Sequence, residues 1–181
     1  MQVILFALAS LGLIWISRRS LFKFRSHGFF RFWAWEAILG LIVLNVPAWF
    51  QEPFSLRQIV SWFFLLSCLF LAFEGARLLL LLGKQDRRRQ DEDLVGLEKT
   101  TQLVRSGLYK FIRHPMYSSL LFLAWGVFLK KPAWPGGGLA LAASVLLVLT
   151  AKAEEAENIR YFGEVYRGYM RQTKRFIPFM Y

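Results

Sequence analysis

The chain has 181 residues, 56% of them apolar and 17% aromatic, with a formal net charge of +11. Length allows a single domain, and a mean hydropathy of +0.38 is too high for an ordinary water-soluble domain of this size. A basic excess can signal nucleic acid, but here Lys and Arg lie between apolar runs instead of along one polar face, so cationic loops against anionic lipid account for them better. The one cysteine, Cys68, excludes an internal disulfide and a cysteine-rich metal site. With His27 and His114 as the only histidines, a multi-histidine metal centre is not expected either.

Residues 1 to 17 are almost entirely apolar and are followed by Arg18 and Arg19. A secretory leader carries its charge before the apolar part, so this order predicts a first membrane helix. Residues 18 to 31 are basic and include His27. Phe29, Phe30, Phe32, Trp33 and Trp35 read as an interfacial aromatic belt around Arg31. A second span is expected from about Phe32 to Phe50, a turn over 51 to 57, and a third span from about Gln58 to Gly83. Glu74 and Arg77, three apart on one face of that span, read as a salt bridge that could include Glu36, or as a functional pair.

Residues 84 to 106 form a polar connection of mixed charge. The run Met116 to Leu129 is short for a span, and so is Leu139 to Ala151. The stretch Trp134-Pro135-Gly136-Gly137-Gly138 reads as the turn between them, which predicts a helical hairpin whose second helix continues beyond the bilayer. Nineteen of the 23 Lys and Arg residues fall in 18–31, 84–115 and 152–181. The bias towards positive cytoplasmic loops then places these segments in the cytoplasm, the N-terminus outside, and five spans between.

The chain is organised around residues 105 to 117. His114 precedes proline and is pushed out of the helical region. Pro115 suits the first position of the following helix. Arg113 and His114 thus end a loop at a helix N-terminus, where an anion could be held; marking the membrane surface is the alternative. After Lys152, the residues Ile159, Phe162, Tyr166 and Tyr169 recur at helical spacing as an aromatic face, with Gly163 as a break or kink. Glu154 and Glu155 leave the bilayer near Arg113 and His114, either as a charge pair between helices or as a site.

Two motifs make the pattern specific. Gly107-Leu108-Tyr109 leads into Arg113-His114-Pro115-Met116-Tyr117, and Glu154-Glu155 is followed by Phe162-Gly163, Tyr166, Tyr169 and Pro178. Over residues 94 to 181 the chain resembles the isoprenylcysteine carboxyl methyltransferase and phospholipid methyltransferase superfamily of integral membrane enzymes; residues 1 to 83 match only as membrane spans. Asn158 stands where that pattern usually has leucine. The resemblance implies an all-α polytopic membrane protein of about five transmembrane helices, with a C-terminal hairpin and a cytoplasmic amphipathic helix. It implies one structural domain, with three spans in 1–83 and a methyltransferase core in 84–181.

It also implies an S-adenosylmethionine-dependent transferase acting on a lipophilic acceptor from the bilayer, a prenylcysteine-like carboxylate or a phospholipid amine, with its site on the cytoplasmic face. Carried over residue by residue, Arg113, Glu154 and Glu155 are the catalytic candidates. Tyr109, Arg113, His114, Pro115, Tyr117, Glu155 and Phe162 are the cofactor-binding ones. Because adjacent helical residues point about 100° apart, Glu155 is expected to contact the donor and Glu154 the acceptor or a neighbouring helix. Arg113 is expected to hold the donor carboxylate from the membrane surface, with little part in folding. Membrane sterol reductases using NADPH look similar, but carry an Arg-Asp pair in place of Glu-Glu. A membrane protein without enzymatic activity is the third reading.

Overall fold

The computed structural model describes residues 2–24, 26–83 and 101–178. Six α-helices carry these residues: α1 Gln2–Leu21, α2 His27–Asn45, α3 Leu56–Leu82, α4 Pro115–Phe128, α5 Trp134–Phe162 and α6 Glu164–Gln172. The polar connection expected at 84–106 lies outside the described residues up to position 100. Short 3-10 turns cover Val46–Ala48 and Gly107–Lys110. Four helices, α1, α2, α3 and α5, are long and apolar enough to cross a membrane, whereas α4 has 14 residues. At about 1.5 Å per residue, α4 is shorter than the ~30 Å hydrocarbon layer and α5 is longer than it. The chain is an all-α integral membrane protein.

Local chemistry sets the helix starts. Ser26 accepts the N–H of Phe29 at 3.1 Å, so α2 begins at His27 and not at Phe32. Ser55 caps α3 in the same way by accepting the N–H of Gln58 at 3.4 Å. The largest correction concerns Trp134 to Gly138. These residues are the opening turns of α5, with Pro135 in its first turn and Ala133 before it; the connection is the short stretch from Leu129 to Ala133. Proline is tolerated in a first helical turn, and Gly136 and Gly137 face the side chains of neighbouring helices. A Cβ at Gly136 would stand 3.4 Å from Leu41 of α2 and 3.5 Å from Phe128 of α4.

Helix α2 packs mainly against α5 and α3 against α4, while α4 and α5 also touch. Leu41, Val127, Ala140 and Ala143 meet in the core with no exposure. At one end of the bundle, Lys130 is completely buried: its ammonium donates to Gln58 Oε1 at 2.9 Å and lies 3.4 Å from the centre of the Trp62 ring. Arg57 donates to the carbonyls of Leu129 and Lys130. A residue that reads as a surface cation is therefore an anchor for the α4–α5 connection. Glu74 and Arg77 pair bidentately at 2.7 and 2.8 Å on the outer side of α3. Glu36 does not join them; it accepts the Ser10 hydroxyl at 2.8 Å between α1 and α2.

Candidate active site

The other end of the bundle gathers both motifs. Gly107 has φ +58°, a conformation that L side chains rarely adopt, and a Cβ there would lie 2.7 Å from Leu78. This turn directs Tyr109 inward, where its hydroxyl donates to the Gly75 carbonyl at 3.4 Å. The Tyr169 hydroxyl donates to the Tyr109 carbonyl at 2.6 Å and ties α6 to the loop. Residues 111–114 then run parallel to the C-terminal segment. Arg113 N–H donates to Lys174 O at 2.8 Å, His114 N–H to Arg175 O at 3.1 Å, and Lys174 N–H to Phe111 O at 3.0 Å. His114 has φ −124° and ψ 61°, outside the helical region, and Pro115 opens α4 as expected.

Glu155 is the centre of the cluster and is 4% exposed. Its Oε1 accepts Arg113 Nε at 2.8 Å and Arg175 Nε at 3.1 Å, while its Oε2 accepts Arg175 Nη2 at 2.7 Å. His114 Nε2 stands 3.4 Å from the same Oε1. A buried carboxylate needs such partners, because desolvation without them is costly. Arg113 is buried with it: its Nη1 donates to the carbonyls of Met170, at 3.1 Å, and Thr173. The guanidinium expected at the membrane surface is instead shared between α5 and the C-terminal segment.

Glu154 points elsewhere. Its carboxylate is 19% exposed, and its ion-pair contact among the described residues is His114 Nδ1 at 3.9 Å. One imidazole thus lies between both glutamates, although these diverge on α5 as helical geometry requires. His114 stacks on Tyr117 with ring centres 5.4 Å apart and approaches Phe176 at 6.2 Å. Phe162 ends α5 and stacks on Tyr166 at 6.4 Å. Burial pushes the Tyr166 hydroxyl well above its usual range, with Glu154's charge adding to the shift and a hydrogen bond to Asn158 opposing it. Burial and Glu154 raise Tyr109 likewise. Both phenols remain neutral at ordinary pH.

The structure thus brings Tyr109, Arg113, His114, Pro115, Tyr117, Glu154 and Glu155 together. Phe162 joins their surroundings through Tyr166. Arg175, Thr173 and Ser118 were missed by motif reasoning. Ser118's hydroxyl lies 2.8 Å from the Phe176 carbonyl and 3.0 Å from that of His114. No spacing rule links these residues to Glu155, since it is the return of the tail that joins them. Beside the cluster lies an apolar groove of about 430 Å³ lined by Phe63, Phe70, Phe122, Ile112, Phe176 and neighbours. Ile112 and Phe176 belong to its wall, and the adjoining Arg113 and Arg175 hold Glu155.

These features define an integral membrane protein with a buried, charge-paired polar site at one end of its bundle, bordered by an apolar groove. The chain matches the family model described as phospholipid methyltransferase over residues 90–165. It is 27% identical over 150 residues to the methanethiol S-methyltransferase of Pseudomonas deceptionensis, covering 82% of this chain and 50% of that protein. With methanethiol S-methyltransferase 1 of Bradyrhizobium diazoefficiens it is 33% identical over 88 residues, 47% of this chain and 30% of the other. The chain therefore spans half or less of these curated relatives in the matched region. No solved structure matches it. These likenesses bear out the resemblance to the isoprenylcysteine carboxyl methyltransferase and phospholipid methyltransferase superfamily.

Proposed function

We propose that this chain is an integral membrane methyltransferase that takes its methyl group from S-adenosylmethionine and delivers it to a lipophilic acceptor. The observation that carries this reading is the division of labour around His114. Glu155 is fully engaged by two arginines, whereas the adjoining Glu154 keeps an accessible carboxylate beside an imidazole stacked on Tyr117. The donor presents an α-ammonium, hydroxyls, a carboxylate and an adenine. Glu154 could accept from the ammonium or a hydroxyl. At the start of α4, behind Pro115, the Met116 N–H could hold the carboxylate. Tyr117 and His114 offer faces for stacking. When bound, the donor supplies an electrophilic methyl on a sulfonium.

The remaining work belongs to the chain. Arg113 and Arg175 fix Glu155, and through it α5, the tail and His114. Burial excludes water, so alignment does most of the catalysis. The groove that shares Ile112 and Phe176 with the cluster supports an acceptor with an apolar body, since its volume falls in the range of small-molecule pockets. A thiol or amine acceptor must also lose a proton, and Glu154 could take it. A second reading, a small thiol acceptor, draws on the relatives named as methanethiol S-methyltransferases.

Calorimetry of detergent-purified protein tests the donor. S-adenosylhomocysteine is expected to bind and NADPH to give no heat; the reverse overturns the reading. Labelled donor with prenylcysteine analogues, extracted lipids and methanethiol in parallel then separates the acceptors. Turnover of methanethiol alone would exclude the lipophilic class.

A further inference from the structure

The chain has two histidines, and both end at the same stretch of α5. His114, before α4, stands 3.9 Å from Glu154. His27, the first residue of α2, is completely buried, and its Nδ1 lies 2.7 Å from Glu157 Oε2. Glu154 and Glu157 are three residues apart and so share one side of the helix. Their side chains are 19% and 25% exposed, unlike that of Glu155 at 5%. Each therefore has one histidine beside it and part of its carboxylate left accessible. Burying a histidine at the start of a largely apolar helix, one turn before the equally buried Arg31, is costly unless it meets a partner.

We infer that His27, from the N-terminal helices, is a positioning residue of the donor site: by holding Glu157 it orients the open Glu154–Glu157 side of α5 towards the donor. This rests on the donor site proposed above. Helix α2 packs along α5, so His27 locks the rotation of α5 from the side opposite to Arg113. Neither His27 nor α2 falls in the region of the family match. The donor site is then incomplete without the first helices, which motif comparison treats only as membrane spans.

A double-mutant cycle read in S-adenosylhomocysteine affinity tests it. His27→Gln and Glu157→Gln should each weaken binding by about fivefold or more, and the double variant no further than the weaker single one, as for coupled partners. With saturating acceptor, the donor KM should rise while kcat stays near the parent value. Glu157→Gln, at a partly exposed position, keeps the test open if His27→Gln does not fold. Unchanged affinity with only a lower melting temperature, or additive losses, would overturn the inference and leave the donor site standing. Parent protein that does not bind S-adenosylhomocysteine would remove the donor site and this inference with it.

Discussion

The two adjacent glutamates show how much one helical step changes a residue's role. Glu155 is enclosed by Arg113, Arg175 and His114, so Glu155→Gln would leave the largely buried Arg113 and the partly buried Arg175 without their anion. Loss of one partner from a buried pair costs about 3–5 kcal/mol, and thermal unfolding in detergent should show a large fall. Glu154→Gln should leave the melting temperature nearly unchanged while weakening S-adenosylhomocysteine binding by about tenfold, the worth of one charge-assisted bond. This reverses the roles that helical phase alone suggested for the pair, and the reverse ranking in the two assays would refute it. Tyr169 offers a second residue-scale test. Burial pushes its hydroxyl upward, with Arg113 and Arg105 acting the other way. Raised above its unfolded value, this phenol contributes stability that is complete below about pH 10 and lost as pH climbs beyond it. Melting temperature measured from pH 7 to 11 should fall less steeply at the alkaline end for Tyr169→Phe than for the parent.

At the scale of elements, the start of α5 is the sharpest case. A stretch of Trp, Pro and three Gly has turn composition, yet it is helical: Pro fits the first turn, and Gly136 packs against Leu41 and Phe128 of the neighbouring helices. Gly138 has φ in the ordinary range and open space around a Cβ. Gly138→Ala should then raise stability by up to about 1 kcal/mol, through helix propensity. If residues 134–138 formed a turn, the same change would be neutral or harmful. Gly107→Ala should act in the opposite direction, because its positive φ and the Leu78 side chain both oppose a Cβ; a loss of about 1–2 kcal/mol is expected from the backbone alone. The start of α4 was legible from His114-Pro115, since a proline acts locally, whereas α2 was expected from about Phe32 and begins five residues earlier, behind the Ser26 cap. Burial of Lys130 was not legible, because its partners Gln58 and Trp62 lie far away in the chain.

For the whole molecule, both motifs lie at one end and the Lys130–Gln58 anchor lies beyond the opposite end of α4. From the distribution of basic residues we propose an orientation with the polar site towards the cytoplasm. With Cys68→Ser as background, a cysteine at exposed Lys131 should react with an impermeant reagent from outside. One at exposed Lys110 should react only after the membrane is opened. The inverse labelling would reject this orientation.

Hydrophobic run length, composition and two spaced motifs were enough to determine an all-α membrane protein, its long apolar helices and the region holding its polar site. These are properties of local chain chemistry and of the bilayer as solvent, which act on a segment wherever it folds. Tertiary structure alone decided which glutamate is saturated, that Arg113 is a buried clamp, that Arg175 returns to complete it, and that His27 meets Glu157. Each of those contacts joins residues brought together by helix packing and by the parallel run of residues 111–114 beside the tail. Local sequence carries no signal for such pairings, because the energy of a buried charge depends on the partners that the folded chain places around it.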